Sequence, residues 1–113
     1  LLRRARQGPR SASSLEFGRL AILPGAREVR VDDRVVPFTG AEFDLLHLLA
    51  RRAGEVLTRD VLFQELRGIP YDGLDRSLDL RVSKVRSLLR ERLGGRSPIR
   101  TVRGQGYLFA STP

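Results

Sequence analysis

The 113-residue chain has no cysteine, no methionine, no tryptophan and one histidine. Without cysteine there are no disulfides, no thiolate metal sites and no thiol nucleophile, and a single imidazole cannot build a structural zinc site. No apolar run approaches the ~20 residues that span a bilayer. Leu1 and Leu2 are followed at once by Arg3, Arg4 and Arg6, which is not a secretory pattern. The chain therefore reads as cytoplasmic, with no membrane partner. The missing methionine marks it as a fragment or trimmed product whose parent begins upstream.

Catalytic constellations are equally scarce. His47 has Asp44 three residues before it, but nothing places a serine within reach, so a surface or partly packed histidine is the better reading. Gly104-Gln105-Gly106 lacks the strand-to-helix setting of a nucleotide loop and reads as a turn. No enzyme activity, cofactor or metal is expected. What is present in excess is positive charge: 21 Lys and Arg against 13 Asp and Glu, a net charge of +8. It is unevenly spread, with +4 over residues 1–14, −2 over 15–74 and +6 over 75–107. A field concentrated in this way attracts polyanions. A membrane surface would also require a broad lipid-facing apolar band, and here the apolar residues are wanted for a core.

Residues 75–93, DRSLDLRVSKVRSLLRERL, organise the rest. Leu78, Val82, Val85, Leu89 and Leu93 fall on one narrow helical face. The opposite face carries Arg76, Ser77, Leu80, Ser83, Lys84 and Ser87, flanked by Arg81 and Arg86. An ordinary solvated face mixes signs in i, i+4 pairs. Cations, short hydroxyls and one aliphatic group instead offer what a DNA major groove accepts: donors for phosphates and guanine edges, and a contact for a thymine methyl. Asp75 stands where an N-cap belongs, Asp79 favours the positive end of the dipole, and Gly94 and Gly95 stop the helix.

Residues 1–14 read as a helical scrap followed by a Gly, Pro and Ser linker, and are expected to be disordered; residues 15–113 form the domain. Segments 15–23, 27–31 and 34–38 alternate as strands, with a tight Asp32-Asp33 connection whose second aspartate carries strain of order 1 kcal/mol. Pro37 belongs on an edge or at a strand end. Thr39 and Glu42 fit a capping box before an almost wholly apolar helix. Val56-Leu57 is a short extended step, Thr58 caps a second helix and Gly68 ends it. The 68–74 connection is long for a helix-turn-helix and holds Ile69, Pro70, Tyr71 and Asp72. Segments 99–103 and 107–110 form a terminal hairpin with cations near its tip. Three helices followed by such a ribbon make an α+β, winged helix-turn-helix arrangement, one helix for the major groove and a wing at 99–110 for the backbone or minor groove.

The segments TGAEFDLLHLLARRAGEVLTRDVLF, YDGLDRSLDLRVSKVRSLL and IRTVRGQGYLF, in that order and spacing, resemble the OmpR/PhoB-like effector domains of bacterial two-component response regulators, over about residues 15–110. That resemblance implies an N-terminal antiparallel four-stranded sheet, three helices, a C-terminal β-hairpin wing and sequence-specific binding of double-stranded DNA. It puts Arg76, Ser77, Leu80, Arg81, Lys84 and Arg86 at the helix-to-DNA surface, Thr101 and Arg103 at the wing, and Tyr107 at a phosphate. It implies that residues 69–72 touch RNA polymerase and that residues 1–14 are the end of a receiver domain plus linker. A histidine kinase would act on that receiver, and two copies of the domain would bind direct repeats as a tandem homodimer. Arg67 stands where some relatives have Trp, Ser83 where some have a basic residue, and Asp33 where Gly is often seen. The rival readings are a protein-interaction module that docks an acidic partner such as RNA polymerase, with DNA binding incidental, and an RNA-binding domain, for which the exposed helix lacks aromatic stacking platforms.

Overall fold

The structure, a computed structural model, describes residues 14–68 and 76–110. The expected linker up to residue 13, the loop residues Ile69, Pro70, Tyr71 and Asp72, and the Asp75 cap lie outside the described residues.

Strands β1 (Leu15–Phe17), β2 (Leu20–Leu23), β3 (Glu28–Val31) and β4 (Arg34–Val35) form an antiparallel sheet in that order. Segment 15–23, read as one strand, is two, because Gly18 takes a positive φ of 63° and turns the chain. Alternation along β2 and β3 buries Leu20, Ile22, Val29 and Val31 on one face. Asp32 and Asp33 both adopt positive φ, 53° and 67°, as a two-residue hairpin turn demands. The cost of that conformation is offset locally: Asp32 accepts a 2.6 Å ion pair from Arg19 and donates its amide to the Arg19 carbonyl at 3.0 Å.

Helix α1 (Gly40–Arg51) starts at the expected capping box. Thr39 Oγ1 accepts from the Glu42 amide at 3.2 Å, and Glu42 Oε1 accepts from the Thr39 amide at 2.9 Å. Phe43, Leu45, Leu46, Leu48, Leu49 and Ala50 are all buried, which makes α1 the central post of the core. Helix α2 (Arg59–Arg67) is capped by Thr58, whose Oγ1 accepts from Val61 N at 3.1 Å, and ends at Gly68 in the left-handed conformation.

Helix α3 (Ser77–Arg92) buries Leu78, Val82, Val85 and Leu89. Its bounds correct the expected 75–93: the helix begins two residues later, and Leu93 occupies the C-cap position while remaining partly buried against the core. Gly94 and Gly95 follow with positive φ, and the Gly95 amide bonds back to the Arg90 carbonyl at 2.8 Å.

The terminal hairpin, β6 (Ile99–Val102) and β7 (Gly106–Phe109), gains a third strand, β5 (Val56–Thr58), in the order β5-β7-β6. With one buried residue, Leu57, β5 is too short to show alternation in the sequence. The whole is a winged helix-turn-helix of the α+β class, with Phe109 on β7 packed at 4.6 Å between ring centroids against Phe17 on β1. The close approach of β5 to β7 depends on Gly106, since a Cβ there would stand 2.1 Å from the Leu57 carbonyl oxygen and 2.8 Å from Thr58 Cα. Backbone atoms cannot yield as a flexible side chain does. Gly106→Ala is expected to destabilise the domain by about 3 kcal/mol, the scale of an overpacked interior contact; a urea midpoint equal to that of the wild type would mean that β5 is not held against β7.

Candidate nucleic-acid interface

Once the apolar edge of α3 is fixed in the core, its opposite side is fixed by helical geometry. Arg76, Leu80, Ser83, Lys84 and Ser87 are exposed there. Leu80 is 70% exposed, an aliphatic side chain left in water between cations. Ser77 and Arg81 are half-buried, and with Leu62, Phe63, Leu66 and Arg67 they line a narrow crevice between α3 and α2. Arg86 is also half-buried, and its Nη1 donates to Thr101 Oγ1 on β6 at 3.0 Å. That bond joins helix to wing directly. On the wing Arg100, Thr101 and Arg103 are exposed.

Expected as a phosphate contact, Tyr107 is 4% exposed, with its ring in the core and its hydroxyl already engaged. The hydroxyl donates to Asp79 Oδ1 and accepts from Arg59 Nη2 at 3.3 Å, while Arg59 Nε donates to the same Asp79 oxygen at 2.9 Å. The Arg59 guanidinium also lies 5.2 Å from the Tyr107 ring centroid, a cation-π contact. Arg59 is the residue that sequence reasoning missed. Asp79 is read correctly as an acid in the first turn, but its partner lies on α2, 20 residues away, and no local spacing predicts that pairing.

Electrostatics follow from these contacts. Burial pushes the Asp79 carboxyl upward, but hydrogen bonds from Tyr107 and Arg59, with the charges of Arg59 and Arg76, outweigh it and hold Asp79 below the usual carboxylate range. Burial and the hydrogen bond to Asp79 push the Tyr107 hydroxyl up. The one acid in the first turn of α3 is thus engaged by Arg59 and lies within the field of Arg76. Burial, then Arg51, lowers the pKa of His47, which packs 5.5 Å from the Phe43 ring and is neutral near pH 7.

The far end of α3 is tied to the first sheet. Arg19 Nη2 donates to the Arg92 carbonyl at 3.2 Å, and Arg92 Nη1 donates to the Val35 carbonyl at 3.4 Å. Among the described residues no group of three His, Asp or Glu could hold a metal, and no helix is long and apolar enough to cross a membrane.

Known proteins resemble this arrangement. The family described as "Transcriptional regulatory protein, C terminal" matches residues 33–109. The transcriptional regulatory protein RstA of Escherichia coli K12 is 43% identical over 97 residues, which cover 86% of this chain and 41% of that protein. The chain spans about two fifths of the length of the curated relatives it matches. Among solved structures, the RstA DNA-binding domain of Klebsiella pneumoniae in complex with RstA box superposes with a TM-score of 0.80 at 41% identity, covering 88% of this chain and 98% of that one. The DNA-binding domain of CpxR from E. coli gives 0.79 at 37% identity, with 88% and 98% covered.

The shifted groups set the pH range of the clamp. A carboxyl lowered in the folded state adds stability above its unfolded value and loses it as pH falls through the folded one. A phenol raised in the folded state adds stability below its unfolded value and loses it as pH rises. The Arg59–Asp79–Tyr107 contribution should therefore hold between about pH 4 and about pH 10 and fade outside those limits. In urea melts at descending pH, Asp79→Asn should show a smaller acid-induced drop in midpoint than the wild type; an equal drop would place the acid-sensitive group elsewhere.

Proposed function

The chain belongs to the family of transcriptional regulatory protein C-terminal domains of the OmpR/PhoB type, and on that premise we propose that it is the sequence-specific, double-stranded DNA-binding effector domain of a response-regulator transcription factor. The observation that carries this reading is the exposed side of α3: Arg76, Lys84 and the 70%-exposed Leu80 lie over an edge that is wholly packed, beside a wing that presents Arg100 and Arg103. Lys84, Arg76 and Arg81 supply donors for guanine edges and phosphates, and Leu80 supplies an apolar contact for a thymine methyl, while the Ser77 Oγ is buried. Arg86 joins the helix to Thr101, so that α3 can lie in a major groove while Arg103 reaches the backbone or the adjacent minor groove. That Klebsiella pneumoniae RstA, with 41% identity to this chain, was crystallised with its box supports the assignment.

Family membership also supports the partners proposed for the full-length protein: a receiver domain, a histidine kinase acting on it, RNA polymerase at Ile69, Pro70, Tyr71 and Asp72, and a second copy bound head to tail on direct repeats about one turn, ~10 bp, apart.

Titration of a selected duplex at two salt concentrations tests the proposal. With about six phosphate contacts the log-log slope should lie near −5, and Arg103→Ala should lessen it by about one unit. Lys84→Ala should instead relax preference at one base step by roughly 1–3 kcal/mol. Binding of both variants like the wild type would refute the site. As a further arm, Tyr71→Ala should lower transcription with duplex affinity intact; loss of both would refute the polymerase contact.

A further inference from the structure

Two of the three described helices fix their own starts. Helix α1 has its capping box and α2 has the Thr58 hydroxyl. Helix α3 does not follow them: Arg76, at its N-cap position, makes no side-chain cap hydrogen bond. First-turn amides have no partner within a helix, so the start of a helix without a side-chain cap is inclined to fray. Here the first turn is instead held from outside, through Asp79. Its Oδ1 receives Arg59 Nε at 2.9 Å and the Tyr107 hydroxyl, and Arg59 Nη2 also donates to that hydroxyl. Arg59 is the first residue of α2, Asp79 the third of α3 and Tyr107 the second of the wing strand β7. One triangle of side chains thus joins the start of both helices of the helix-turn-helix to the wing.

We infer that Arg59, Asp79 and Tyr107 are positioning residues that set the angle of α3 against the wing, and that they govern sequence discrimination without touching nucleic acid. The inference rests on the DNA-binding reading above. Discrimination requires several base-edge contacts in register at once, whereas phosphate attraction tolerates small misplacements. Loosening the triangle should accordingly weaken cognate binding far more than general binding.

The test uses Tyr107→Phe, which removes one hydroxyl and keeps the ring in the core, with Asp79→Asn as the second variant. In the free domain, amide exchange at residues 79–82 should quicken about tenfold while residues 88–91 are unchanged. On DNA, the ratio of affinities for selected and scrambled duplexes should fall about tenfold, roughly one base-edge contact's share of discrimination, with the salt slope unchanged. Unchanged exchange or an unchanged ratio overturns the inference. So does a slope that is shallower by about one unit, because it would mean a lost phosphate contact. A wild-type domain that holds both duplexes equally overturns the DNA-binding reading instead, and the exchange arm then decides whether the triangle fixes the helix.

Discussion

Helix α3 is prevented from rotating about its own axis. Leu78, Val82, Val85 and Leu89 are 3% exposed or less, and turning the helix by even a quarter would drag Leu78 or Leu89 into water and push a cation or Ser83 into the core. Burying such side chains contributes about 1.5–3 kcal/mol each, while an unpaired charge in the same place costs several. The core therefore dictates which residues the helix presents outward. Any property of that outer face, its exposed Arg76 and Lys84 and its isolated leucine included, follows from the packing of the inner one.

Rotation is only one of the freedoms removed. The C-terminal end of α3 is tied to the first sheet through Arg19 and Arg92, its middle to the wing through Arg86 and Thr101, and its start to α2 and β7 through Asp79. Arg19, Arg86 and Arg92, with the Arg59 that meets Asp79, each use a guanidinium on a carbonyl, hydroxyl or carboxylate of the chain itself. This sorts the basic residues into two sets. Arg19, Arg59 and Arg92 hold the fold together, whereas Arg76, Lys84, Arg100 and Arg103 face solvent from α3 and the wing. Arg86 does part of both, bonded to the wing at the edge of the exposed face.

Much of this was legible in the sequence because local physics decides it. The capping box at Thr39 and Glu42, the Thr58 cap, the Gly68 stop and the four-residue buried edge of α3 are all set by residues within a turn or two of one another. The illegible features are non-local. The extended step at Val56-Leu57 is legible, but its pairing with β7 is not, and Gly106 matters only because the Leu57 carbonyl approaches it. Tyr107 reads as the first residue of a strand, and nothing local shows that its hydroxyl meets Asp79 and Arg59 from 28 and 48 residues away. The start of α3 is held for the same non-local reason, through the contacts of Asp79 with Arg59 and Tyr107.

Amide chemical-shift mapping during titration with a selected duplex tests most directly whether the outward side of α3 is the working surface. The account predicts perturbations concentrated at Arg76, Leu80, Ser83 and Lys84 and at Arg103 on the wing, with Ala21 and Glu28 on the outer side of the first sheet unmoved. Perturbations centred on that sheet, with Leu80 and Lys84 silent, would contradict it.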